Sequence, residues 1–174
     1  SAADLYEKAI VLSGLSKTYG LPGLRAGWVI IRNAELRDEL INWKHYTTIC
    51  PAAPTEFLAR KALLVKDKLA ARSKAIIQQN LNLCEAFFNR FQEQFTWRRP
   101  QAGSVAFVEL NLSQIGFDSA TSYCHDLAQN HGMVLLPGKC LGFDDNFVRF
   151  GLGRSNFEVA LKSFAEVISD NPPA

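Results

Sequence analysis

The chain has little of what marks several protein classes. Its 174 residues include one methionine, three histidines and four cysteines, and 19 basic side chains against 17 acidic ones leave a net charge of +2. That charge is too small to imply nucleic acid or an acidic membrane as partner. No apolar run approaches the roughly 20 residues needed to span a bilayer. The opening SAADLYEKA lacks the basic-then-apolar order of a signal peptide, so a cytoplasmic location is expected. Cys50, Cys84, Cys124 and Cys140 show no close pair of the zinc-knuckle or redox kind, and the expectation is buried, reduced thiols. His125 and His131 are too badly phased on one helix to share a ligand, and no metal site is expected. There is no internal repeat and no low-complexity linker.

What is present reads as an ordinary globular protein, 48% hydrophobic and 21% charged. The apolar run Ile10 to Leu12 predicts a strand stopping just before Lys17, and AGWVII predicts a second strand ending at Arg32-Asn33. A reactive residue on the loop beyond a strand suits an open α/β sheet. Helices are predicted from Ala34 to Tyr46, from Thr55 after Pro51 and Pro54, and over Ala71 to Phe95. In the last, Ile77, Leu81, Cys84, Phe88, Phe91 and Phe95 recur at three- and four-residue intervals and read as core. SVAFVEL and NFVRFGL read as strands and MVLLPG as a short extended segment closed by a turn. A helix capped by Asp118 and ended by Gly132 lies between them, and a final helix opens with a Ser155/Glu158 capping box, buries Phe157, Leu161 and Phe164, and ends at NPPA. The second half is therefore expected to be a small α+β domain.

The densest segment is SGLSKTYGLPGLRAGW, Ser13 to Trp28. A lysine amine can form an imine with an aldehyde and serve as a base once neutral. Arginine stays charged and presents a planar array of donors to phosphate. Ser13, Ser16 and Thr18 add hydroxyls, and Gly14, Gly20 and Gly23 let the backbone approach a ligand. An imine-forming lysine beside a phosphate clamp is what pyridoxal phosphate requires. Composition alone leaves open the alternative of a solvated lysine and arginine.

SKTYGLPGLRAGW strongly resembles the cofactor-lysine segment of fold-type I pyridoxal-phosphate enzymes, in the class I/II aminotransferase family. The resemblance implies that Lys17 holds pyridoxal 5'-phosphate as an imine and that Arg25 grips its phosphate. Ser16, ahead of Ser13, is the first choice for an added hydroxyl, because Gly14 stands where many members carry a serine. GMVLLPGKCLGFDDNFVRFGLGR resembles the family's C-terminal pattern, which implies that Arg149 pairs with the substrate α-carboxylate. Arg154 is the competing candidate, and a strand-end salt bridge is the alternative for Arg149. The implied fold is the C-terminal portion of the aminotransferase fold, with the end of the large domain and connecting helices over 1–70 and an α+β small domain over 71–174. The cofactor's ring-nitrogen partner and stacking group belong upstream of Lys17 in the family. The chain is therefore expected to be a C-terminal fragment, inactive alone, of a homodimeric aminotransferase acting on amino acids and 2-oxo acids. A fold-type I lyase, such as a carbon–sulfur lyase, and the aminotransferase-like effector domain of a transcription regulator are the competing readings.

Overall fold

Two stretches dense in branched side chains, Ile10–Gly14 (β1) and Gly27–Ile31 (β2), pair antiparallel in a register that sets Ile10 against Ile31 and Gly14 against Gly27. They belong to the first of two compact units, Ser1–Ser73 and Lys74–Ala174, of a computed structural model that describes residues 1–170. A one-turn helix, Ala2–Leu5 (α1), precedes β1. Helix α2, Ala34–Thr47, starts where the Asn33 side chain accepts from the Leu36 N–H at 2.8 Å. Helix α3, Ala53–Leu64, begins two residues before the expected Thr55. Pro54 sits in its first turn, where a missing N–H costs nothing, so the proline starts the helix instead of delaying it. Only Ala3, Leu15 and Ala62 are buried apolar residues in this unit.

Helix α4 runs Lys66–Arg90, starting and stopping earlier than the expected Ala71–Phe95. Its polar start, Lys66-Asp67-Lys68, hides the first turn from a hydrophobic pattern. Its end is set by strand pairing, because Phe95 must lie in a two-residue strand, Phe95–Thr96 (β3), opposite Leu110. Phe91 and Phe95 are nevertheless buried with Leu81, Cys84, Phe87 and Phe88.

The second unit is a four-stranded antiparallel sheet in the order β3-β4-β6-β5, with β4 Val105–Leu110, β5 Leu136–Pro137 and β6 Phe147–Gly151. Period-two alternation sends Ala106, Val108, Leu110, Val148 and Phe150 to one face. There they join the apolar faces of α4, of α6 (Ala120–His131) and of α7 (Phe157–Asp170) in one core. A short helix, Leu112–Ile115 (α5), links β4 to α6. Ser119, not Asp118, caps α6: its Oγ accepts from the Ser122 N–H, while the Ser119 N–H donates to Ser122 Oγ. Gly132 ends α6 at φ 64°, a left-handed position that favours glycine. Helix α7 begins at Phe157, so Ser155 lies outside the cap position expected for it. The NPPA expected to end α7 lies outside the described residues. Cys84 and Cys124 are buried thiols, but Cys50 and Cys140 are exposed, contrary to expectation, because each lies in an irregular connection or turn and not on a core-facing helix.

Asn80 is the one buried polar residue among the described residues. Its Nδ2 donates to the Leu152 carbonyl at 2.9 Å and the Arg154 carbonyl at 2.8 Å. This clamp holds the chain extended after β6 and delays the start of α7.

Candidate active site

The loop between β1 and β2 is built around Leu15, which is fully buried. Its N–H donates to the Ala26 carbonyl at 3.1 Å, and its own carbonyl accepts from the Leu21 N–H at 3.0 Å. These bonds close the loop at its base and leave Ser16, Lys17 and Thr18 on its rim. Sequence reading singled out the polar residues of this loop and missed Leu15, whose only signal was an apolar side chain between two serines' worth of polar neighbours.

Gly14 and Gly27 face each other where the strands meet the loop. A Cβ on Gly14 would stand 2.9 Å from the Ala26 carbonyl oxygen and 3.1 Å from Gly27 Cα; one on Gly27 would stand 2.9 Å from the Ser13 oxygen. The strands close this tightly only with glycine at both positions.

On the far side of the loop, Pro22–Leu24 makes one 3-10 turn, and Arg25 follows it at φ 49°, ψ 34°. A left-handed arginine is uncommon and costs about 1–2 kcal/mol. The turn over-determines it: both the Arg25 N–H (3.3 Å) and Nη1 (3.2 Å) donate to the Pro22 carbonyl.

The result is an open groove of about 520 Å³ lined by Ser13, Ser16, Lys17, Thr18 and Arg25. Lys17 is exposed and, among the described residues, its side chain has no hydrogen bond or ion pair. No carboxylate lines the groove. Two cations and three hydroxyls without an acid favour an anion, and an unengaged amine beside them can add to an aldehyde. This donor set fits a phosphorylated aldehyde such as pyridoxal 5'-phosphate. Arg25, Ala26 and Gly27 also border a larger cavity of about 830 Å³ that contains Trp28, Lys44, Cys50 and Arg60. Trp43 and Tyr46 are exposed, and Phe150 is core.

Arg149 belongs to the second unit. It lies on β6, directly opposite Phe107 of β4 and Leu136 of β5, on the sheet face away from the helices. It is half-buried and pairs with no carboxylate among the described residues, so the strand-end salt bridge is not formed there. Arg154 is exposed, and its backbone is fixed by Asn80. Both arginines border a cavity of about 660 Å³. Among the described residues no cluster of three or more His, Cys, Asp or Glu side chains could hold a metal ion, and no helix is long and apolar enough to cross a membrane.

The sequence matches the family aminotransferase class I and II over residues 2–164. It is 26% identical over 161 residues to a capreomycidine synthase of Streptomyces vinaceus, covering 92% of this chain and 40% of that protein. Among solved structures, a PLP-dependent aminotransferase from Streptococcus suis is similar at a TM-score of 0.86 and 27% identity, covering 100% of this chain and 45% of that one. A PLP-dependent cyclase, OrfR, is similar at 0.81 and 25% identity, covering 92% and 43%. The chain thus spans less than half the length of these relatives.

Proposed function

Because the chain belongs to the class I and II aminotransferase family, whose cofactor is pyridoxal 5'-phosphate, we propose that it is part of an enzyme moving an amino group between an amino acid and a 2-oxo acid. The observation that carries this reading is the groove in which Lys17, Arg25, Ser13 and Ser16 meet with no acid among them. Arg25 would bind the cofactor phosphate through its guanidinium, with Ser16 and then Ser13 adding hydroxyl donors. Lys17 Nζ would hold the cofactor's aldehyde carbon. The bound cofactor supplies an electron sink for the charge left when the substrate α C–H bond breaks. Lys17 Nζ, once neutral, takes that proton and returns it, which an exposed and unengaged amine is free to do. Arg149 would take the α-carboxylate and so orient the α-hydrogen. Its half-buried guanidinium without a protein partner supports that role.

Borohydride reduction of the complete protein with bound cofactor, followed by peptide mass mapping, tests the assignment. The added mass belongs on Lys17; finding it on another lysine overturns the reading. Arg25→Ala is expected to weaken cofactor binding, whereas Arg149→Ala weakens amino-acid substrates with cofactor retained. A swapped pattern exchanges the two roles.

The complete protein is proposed to be a homodimer, a reading supported by the many large apolar side chains exposed on the first unit, among them Leu12, Trp43, Tyr46 and Phe57. A second reading of the chemistry, ring closure at the same lysine, is suggested by the name of one similar protein, a PLP-dependent cyclase. Stoichiometric formation of a 2-oxo acid from the amino donor selects amino transfer.

A further inference from the structure

We propose that Phe107, Phe143 and Phe147 form the specificity wall for the substrate side chain, and that the substrate is an amino acid with an aromatic or branched apolar side chain. The inference rests on the carboxylate role proposed for Arg149.

Strand register puts the argument in place. Phe107 is the direct cross-strand neighbour of Arg149, and residues directly opposite in an antiparallel pair share a face. Phe147, two residues before Arg149 on β6, shares that face by alternation. Phe143 completes the group: its ring stacks on Phe107 at 4.9 Å between centroids, with 22° between planes, and meets Phe147 edge-on at 5.7 Å. Phe143 is still 55% exposed. A large ring kept on the surface, stacked on the cross-strand neighbour of an unpaired arginine, is a site feature more than a core feature.

The loop that presents Phe143 is braced. Gly138 lies under it, where an added Cβ would be 3.0 Å from Phe147 Cβ and 3.2 Å from Phe143 Cβ. The Phe143 N–H donates to the Gly138 carbonyl at 3.0 Å. Asp145 ties the same loop to the start of α6 by accepting from the Thr121 N–H and hydroxyl, and it ion-pairs with Lys139 at 3.4 Å. The ring is therefore held ready, which lowers the entropic cost of using it.

Charge on this face selects against acidic substrates. Arg149 is the unpaired cation on it, and Glu109, opposite Phe147, is the nearest acid in the register. The Glu109 carboxylate accepts from Asn146 Nδ2 at 3.2 Å and forms no ion pair among the described residues. A substrate's second carboxylate would meet Glu109 with no cation left to offset it.

The test is a titration of the complete protein with bound cofactor, followed by NMR on its selectively labelled aromatic and arginine side chains. The probes are 3-phenylpropanoate, propanoate and glutarate. The expected order is 3-phenylpropanoate tightest, about tenfold over propanoate, with glutarate no better than propanoate. Phe143→Ala removes most of that margin and leaves propanoate binding unchanged. Arg149→Gln weakens all three probes. Equal affinity for phenylpropanoate and propanoate, or a margin that survives Phe143→Ala, overturns the wall while the role of Arg149 stands. Unchanged affinities in Arg149→Gln overturn the carboxylate role and this inference with it. Phe143 is on a surface loop, and an unaltered circular-dichroism spectrum and melting transition verify that the variant keeps its fold.

Discussion

Replacing Asn80 by alanine tests how much of the second unit's stability rests on one polar side chain in its core. Asn80 is 4% exposed, and its amide group donates to two carbonyls. Removing it strands the Leu152 carbonyl inside the unit, at about 1–3 kcal/mol for an unsatisfied buried acceptor. The Arg154 carbonyl is only part-buried and can turn to water, so its loss is about 0.5–1.5 kcal/mol. The sum, about 1.5–4.5 kcal/mol, is a sizeable share of a small domain's stability. Two-state denaturation is the wrong assay for a chain of two units. Native-state hydrogen exchange of Val108 and Val148, at the centre of the sheet, reads the second unit alone. At 1.4 kcal/mol per factor of ten, the midpoint of that range is roughly a hundredfold faster exchange. Asn80→Asp is expected to be worse at neutral pH, since a carboxylate would face two carbonyl oxygens. Its protonated form can donate once, and burial against two carbonyls raises its folded pKa above the free value near 4, so the deficit shrinks as pH falls through that raised value and is smallest below about 4. Exchange accelerated less than threefold in Asn80→Ala would falsify the clamp as a stabilising element.

Three further outcomes follow from the same structure. Burial pushes the Cys84 thiol up to about 12 and the Cys124 thiol up to about 11, whereas Cys50 and Cys140 are exposed; a disulfide reagent at pH 8 should therefore label Cys50 and Cys140 quickly and the other two only on unfolding, and four equal rates would contradict the burial. The Asp145 carboxyl is held below the ordinary carboxylate range, first by the Thr121 hydroxyl and then by Lys139. A lowered folded pKa gives stabilisation that is present above the unfolded value near 4 and lost as pH falls through the folded one, so protection of the Thr121 amide should fall in acid, and Asp145→Asn should abolish that dependence. Finally, exchange protection in the isolated 174-residue chain should be concentrated in the second unit; slow exchange throughout β1 and β2 would show that the first unit is stable by itself.

The second unit was the more legible half because its physics is local and closed. SVAFVEL and NFVRFGL were legible as strands, and in the structure their alternation buries Ala106, Val108, Val148 and Phe150. The errors fall where a pattern has no apolar marker. The first turn of α4 is polar, and the start of α7 is delayed by Asn80, about seventy residues away in sequence. No local signal can report a clamp of that kind. Likewise Phe107 and Phe143 read as ordinary strand and loop residues until the register set Phe107 opposite Arg149, with Phe143 stacked on it.

The first unit was legible in the opposite sense: its motif was plain and its core was not. Ser13 to Trp28 pointed to one groove, and the strands around it appeared where the branched residues did. Yet Ile10, Leu12, Val29 and Ile30 remain exposed on β1 and β2, on both faces of the two-stranded sheet. Strands apolar on both faces are typical of a sheet covered on both sides. Each fully buried side chain of that size contributes about 1.5–3 kcal/mol, and ordering each residue's backbone costs about 1–2 kcal/mol. With only Ala3, Leu15 and Ala62 buried, the 73 residues of this unit fall short of that cost by themselves. The same comparison explains why Leu15 matters out of proportion to its size. It is the one large side chain of the unit removed completely from water, and it lies two residues before Lys17. Leu15→Ala should therefore loosen the loop before anything else in the unit, and a fall in cofactor capture by Lys17 with the second unit's exchange rates unchanged is the result that this argument requires.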